Sequence, residues 1–185
     1  MTGGARGANR QFRVRPRLVT WPRTWDIADG AGQPRYRARG TRFGFGPALR
    51  LWELADGERE CLRIERRGVL WPTRYQLVQG RTPLGWVRKR SSLLIWTWVA
   101  VNSAGGERLK AVGDFDEPDY RFQRGDEPVA RVSRRLFSLG GTYGIAIDDP
   151  GFHPLLILGA VLAIQIMHPE DEPSAGEGDE ADDDD

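Results

Sequence analysis

Adjacent basic residues recur along this chain as Arg66-Arg67, Lys89-Arg90 and Arg134-Arg135, with Arg88 and Arg131 close by. A guanidinium presents a planar fork of N–H donors that grips a phosphate or carboxylate through two hydrogen bonds, and an ammonium adds a compact charge beside it. Arg66, Arg67, Arg88, Lys89, Arg90, Arg131, Arg134 and Arg135 are therefore the candidate anion-binding residues. Arg10, Arg13, Arg15 and Arg17 form a further basic stretch near the start, and Arg63 joins the Arg66-Arg67 cluster. Against this stands the ordinary use of charge, which is to keep a surface solvated.

The formal net charge of +1 conceals a strong segregation. Every one of the 27 Lys and Arg residues lies at or before Arg135, whereas Glu170 to Asp185 holds ten of the 26 acidic residues. Up to Pro169 the chain carries 27 basic and 16 acidic groups, a net of +11, and the tail carries −10. Such a body attracts anionic partners: lipid headgroups, nucleic acid or an acidic protein. The tail is either a flexible solubilising segment or one that folds back on the basic body and competes with its ligand. Only Lys89 and Lys110 are lysines, a bias that suggests a GC-rich bacterial genome.

Residues that could support catalysis or metal binding are sparse. His153 and His168 are separated by about 22 Å if a helix joins them, too far to share a metal. Cys61 is the only cysteine, which excludes a disulfide framework and fits a reducing, cytoplasmic setting. It alternates with apolar neighbours, as a structural thiol would. Asp114, Asp116, Glu117 and Asp119 are the one tight carboxylate group outside the tail, without the spacing of an EF-hand loop. No phosphate-binding loop, nucleophile elbow or paired CxxC occurs. The chain is expected to be no enzyme and to need no cofactor or metal.

What positions the basic groups is a repeat. Trp25-x-Ile27, Trp52-x-Leu54, Tyr75-x-Leu77 and Tyr120-x-Phe122 each precede a glycine (Gly30, Gly57, Gly80, Gly125), and each glycine precedes another alternating segment. Residues two apart share one face of a strand, and a glycine turn between two such segments marks a hairpin. The stretch from Trp96 to Gly106 fills the long gap as a degenerate copy. Most of the seven tryptophans are expected in inward or belt positions. Leu155 to Met167 reads LLILGAVLAIQIM, a helix apolar all round and hence enclosed. It is too short for a bilayer, which needs ~20 residues, and carries no flanking cations. The first twenty residues carry five Arg and no apolar core, unlike a secretory signal. The expected architecture is mainly β with one buried helix: an antiparallel, closed barrel of about twelve strands around a central hydrophobic C-terminal helix. Residues 1–10 are expected as a disordered arm, 11–168 as the barrel domain and 169–185 as a disordered acidic tail. Basic pairs at matching repeat positions would then gather near one rim.

From Val129 to Met167 the chain resembles the LURP-one-related family, part of the tubby C-terminal-like group that also includes the phospholipid scramblases. The resemblance rests on Ala130-Arg131-Val132-Ser133-Arg134, Phe137-Ser138-Leu139, Thr142-Tyr143-Gly144-Ile145 and the helix ending Gln165-Ile166-Met167. Gly113-Asp114-Phe115 and Asp119-Tyr120-Arg121-Phe122 extend it, and it continues more weakly back to Gln11. It implies a twelve-stranded barrel around a central C-terminal helix. Tubby domains bind phosphoinositide headgroups through basic side chains, but no such site carries over residue by residue. The acidic calcium loop of the scramblases is reduced here to Asp148 and Asp149. The functional expectation is a non-enzymatic binding module for anionic ligands, phosphoinositide or other lipid headgroups foremost, acting in the cytoplasm or at a membrane surface. A nucleic-acid-binding protein or an interaction scaffold without a small ligand are the alternatives.

Overall fold

A computed structural model of the chain describes residues 10–17, 22–41, 48–55, 57–68, 74–91, 97–115, 118–134 and 142–167. The N-terminal arm, the acidic tail, Arg135, His168, Asp116, Glu117, Trp21, Trp71 and Trp96 lie outside the described residues.

Twelve antiparallel strands form one closed barrel. They are β1 (Arg10–Arg17), β2 (Thr24–Asp29), β3 (Pro34–Gly40), β4 (Leu49–Glu53), β5 (Arg59–Arg67) and β6 (Arg74–Gln79), followed by β7 (Thr82–Ser91), β8 (Thr97–Ser103), β9 (Arg108–Asp114), β10 (Asp119–Arg124), β11 (Glu127–Ser133) and β12 (Tyr143–Ile147). Each strand pairs with its neighbours in sequence, and β1 pairs with β12 to close the cylinder, Phe12 standing opposite Ile145. Closure removes the unpaired edges that an open sheet would expose. The helix α1 (Pro154–Met167) lies inside. Leu155 to Gln165 are all buried, as are the inward residues of every strand, among them Val14, Ile27, Leu51, Ile64, Leu77, Val87, Val101, Phe122 and Ile145.

The helix leans on the wall around β5 to β7, and glycines make the fit. A Cβ on Gly159 would come within 2.7 Å of Leu62 Cδ2, and one on Gly85 within 3.0 Å of Leu156 Cδ1, as well as against the backbone carbonyl of Asn102. At its entry, His153 caps α1: its Nδ1 accepts from the Leu155 N–H at 3.3 Å. Arg10 donates to the Phe152 carbonyl at 2.9 Å and ties the same turn to β1.

Four of the five hairpins share a β-bulge near the turn. The register slips between Ile27 and Ala28, Leu51 and Trp52, Leu77 and Val78, and Phe122 and Gln123. An extra residue bends a strand and increases its twist, which a barrel wall requires. Cys61 is the extra residue in β5, so it is buried beside Leu62. The repeat predicted from sequence is this bulged hairpin, and Thr97 to Asp114 supplies the degenerate copy.

Two details depart from the sequence reading. Leu51 faces inward, so the neighbouring Trp52 faces outward, with the Arg39 guanidinium over its ring at 5.4 Å. Trp86 likewise points outward, because Gly85 and Val87 point to the helix; of the described tryptophans with a placed side chain only Trp25 is buried. In the first hairpin the left-handed position is Gly32 (φ 84°), not Gly30, since the Asp29 carboxylate accepts from the Ala31 and Gln33 N–H groups and shapes a longer turn.

The ends of the barrel differ. The connections of the five hairpins from β2-β3 to β10-β11 all lie at one end, where α1 also enters. Odd-numbered strands and α1 run towards the other end. Leu158 is fully buried, so Leu158→Ala should lower unfolding free energy in urea by about 2–5 kcal/mol. Gly85→Ala should destabilise by about 1–3 kcal/mol or more, since backbone as well as Leu156 must move.

Candidate functional site

With the interior filled, the polar chemistry lies on the outward face. Its arginines divide into those already neutralised and those that are not. Across β1 to β5, Asp26 binds Arg17 at 2.6 Å and Arg37 at 3.0 Å, and Glu58 binds Arg37 at 3.0 Å and Arg39 at 3.4 Å. Glu60 holds Arg50 at 3.5 Å and Arg63 at 3.0 Å, and Glu65 holds Arg67 at 2.6 Å. Burial works against the Asp26 carboxylate, but hydrogen bonds from Arg17 and Arg37 outweigh it and hold the carboxyl below its usual range. On the far side, Arg124 meets Glu127, Asp149 and Glu107, and Arg131 meets Asp148 at 3.2 Å.

The wall from β6 to β9 gathers three arginines into one hollow. A hollow of about 350 Å³ is lined by Arg74, Trp86, Arg88, Asn102, Gly106 and Arg108. Strand register creates it. Arg74 stands opposite Arg88, Trp86 opposite Asn102, and Asn102 opposite Arg108. Ala100, opposite Arg88, brings only a methyl, and Gly106 (φ 89°) brings nothing to the rim. Trp86 is 38% exposed, the one exposed large hydrophobic side chain among the described residues, and the Arg74 guanidinium sits 5.9 Å from its ring centre. No carboxylate among the described residues lies within ion-pair distance of Arg74, Arg88 or Arg108. Three adjacent like charges repel unless an anion lies between them. A larger hollow of about 510 Å³ on β9 to β11 includes Arg121 and Arg131 but also Asp119, and Asp148 already holds Arg131, so its charge is balanced.

The residues singled out from sequence distribute unevenly over this surface. Arg88 lines the hollow. Arg67 lies opposite Arg74 but is spent on Glu65 and on Gln76, whose Oε1 accepts from its Nε at 3.0 Å. Arg66 is exposed where β5 ends, opposite Tyr75. Lys89 and Arg90 pair with Val99 and Trp98 in the β7–β8 register, their side chains outside the described part. Arg134 follows β11 with its N–H on the Pro118 carbonyl at 3.1 Å. Among the described residues, Arg66, Arg67, Lys89, Arg90 and Arg134 lie towards one rim, because β5, β7 and β11 run the same way. They do not converge on one patch, because β11 stands six strands from β5 in either direction around the cylinder. Arg74, Trp86, Asn102 and Arg108 were not singled out from sequence as one site. Only the register brings them together, though the hairpin phase offered a clue in the Trp86 position.

Asp114 and Asp119 face one another between β9 and β10. The Cys61 thiol donates to the Leu51 carbonyl at 3.4 Å, and burial pushes its pKa up to about 12. Burial also raises the Tyr120 hydroxyl well above its usual value, with Tyr143 nearby adding to the effect.

The family model described as LURP-one-related matches residues 10–165, the span from the first strand to the last turns of the helix. The chain belongs to the LURP-one-related family. Among curated proteins, none matches it. In this LURP-one-related barrel no described helix is long and apolar enough to cross a membrane.

The bulge that buries Cys61 makes two outcomes testable. In the native protein at pH 8 iodoacetamide should label Cys61 slowly, and denaturation should bring labelling to the rate of a free thiol. Because the folded pKa (about 12) lies above the ordinary value of 9.0, the unfolded state loses this proton first. The Cys61 contribution to stability should therefore be complete below pH 9.0 and fall as pH rises towards about 12; a Cys61→Ala variant should lack that part of the alkaline decline in urea melts.

Proposed function

We propose that this LURP-one-related barrel is a non-enzymatic binding module for anionic ligands, with phosphate-bearing lipid headgroups as the favoured class. The observation that carries the reading is the hollow in which three arginines, Arg74, Arg88 and Arg108, meet around the exposed Trp86 with no described carboxylate within ion-pair distance. Guanidinium forks suit phosphate oxygens, and an indole with one wet and one apolar edge suits the headgroup level of a bilayer. The site needs no metal or cofactor to hold an anion. A cytoplasmic protein acting at the periphery of a membrane fits this use.

Trp86 and Asn102 beside the arginines also support the nucleic-acid reading, since a base can stack on an indole while phosphates meet cations. Salt dependence alone does not separate the two; vesicles do. At low salt the protein should float with phosphatidylcholine vesicles containing phosphatidylinositol bisphosphate and not with phosphatidylcholine alone. Equal partitioning to both would overturn the lipid reading, and a gel shift with single-stranded oligonucleotide in the same buffer would favour its rival.

Each free arginine near an anionic surface contributes about 1 kcal/mol, so Arg74→Ala, Arg88→Ala and Arg108→Ala should each weaken flotation about fivefold. Arg67→Ala, although next to Arg74, should change it little, because Glu65 already neutralises that guanidinium.

A further inference from the structure

We propose that, without an external ligand, the β6–β9 hollow is occupied by this chain's own acidic segment between Glu170 and Asp185. This rests on reading the hollow as an anion site, and it names the partner that regulates it. The occupant follows from charge, place and reach.

Charge comes first. Many arginines elsewhere on the outer wall have carboxylates from neighbouring strands: Asp26, Glu58, Glu60 and Glu65 on one side, Asp148 and Asp149 on the other. Around Arg74, Arg88 and Arg108 the described barrel supplies none. The same chain carries ten carboxylates after the helix and no cation there, so the missing counter-charge and the surplus stand in one molecule.

Place comes from topology. β12 ends where the short hairpins turn, so α1 must run back through the cylinder and finish at the opposite end. That is the end at which β6 begins with Arg74 and where Arg88 lies late in β7; from there the hollow runs down the wall past Trp86 to Arg108 and the β8–β9 turn, so its Arg74–Arg88 end is the one nearer the point where the helix finishes. The helix also leans on the inner side of the same wall, through Gly159 against Leu62 and Leu77 and Leu156 against Gly85.

Reach is ample. From Met167 an extended chain gains roughly 3.3–3.6 Å per residue, so the stretch to Asp185 spans up to about 60 Å. The hollow runs from the start of β6 to the β8–β9 turn, about one strand length, or roughly 20 Å. Gly176, Gly178, Ala175 and Ala181 among the acids leave carboxylates free to approach guanidinium forks without bulk. A tether of this length keeps its own acids at about millimolar effective concentration, so even a weak site fills. An anionic surface must then displace the segment before it can bind.

The test uses the full chain. A nitroxide is placed on Ser174→Cys in a Cys61→Ala background, and paramagnetic broadening is read at the Trp86 indole N–H and at the Arg88 and Arg108 side-chain N–H signals. Broadening at low salt that disappears at high salt is expected, and at the Trp86 indole N–H it should be abolished by Arg74→Ala combined with Arg88→Ala and Arg108→Ala. A mixture of labelled unenriched and unlabelled enriched protein should show none. No broadening when every copy is labelled would overturn the proposal, and broadening as strong in the mixture would overturn it in favour of a second copy as donor.

A companion variant replaces the ten tail carboxylates by amides. It should bind phosphatidylinositol bisphosphate vesicles about tenfold more tightly at low salt. Unchanged, measurable binding would overturn the regulatory role. Broadening with no vesicle binding by either form would instead reject the lipid reading while the contact itself stands.

Discussion

A helix with no polar face must be enclosed on every side, and that requirement governs the rest of this molecule. Fourteen residues from Pro154 to Met167 are surrounded by twelve strands whose inward positions are apolar. Each strand residue alternates in or out, so filling the interior with hydrocarbon commits the outward half to everything polar. The close approach at Gly159 and Gly85 shows how little slack the fit leaves. Whatever this LURP-one-related protein binds, it does so on the outside of a packed cylinder.

The outside is organised by cross-strand pairing. Exposed ion pairs such as Arg37 with Asp26 and Glu58 add little to stability, since water and salt screen them. Their larger effect is on the field. A guanidinium next to a carboxylate no longer projects a charge, and one without such a partner does. The sequence contains 27 basic residues, yet it is the convergence of three arginines without a described carboxylate in one hollow, rather than the number, that marks the β6–β9 wall.

Much of the fold was legible in the chain because it depends on local pattern. The hairpin repeat, the fully apolar helix and the closed antiparallel barrel each follow from periodicity of two, from glycine turns, or from the missing polar face. Trp52 and Trp86 were misplaced because an aromatic next to an inward residue reads much like one that points inward itself; only the phase set by Leu51 or Val87 decides. The β6–β9 hollow was less legible. Arg67 and Arg88 look equivalent in sequence, and the difference between them is Glu65 beside the former. Arg74 and Arg108 come from strands whose adjacency to β7 and β8 is a matter of register, which no spacing rule within one strand reports.

The seam between β1 and β12 has a consequence for how the chain is born. Its two halves are separated by nearly the whole barrel, and the helix that fills the lumen is made after all twelve strands. At about 5–20 residues per second, a ribosome takes on the order of ten seconds or more to go from the first strand to the plug. Throughout that interval the inward apolar residues lack the helix they pack against, and β1 lacks its β12 partner. Sealing is thus a single late event, and the growing chain must be guarded from its neighbours until it happens.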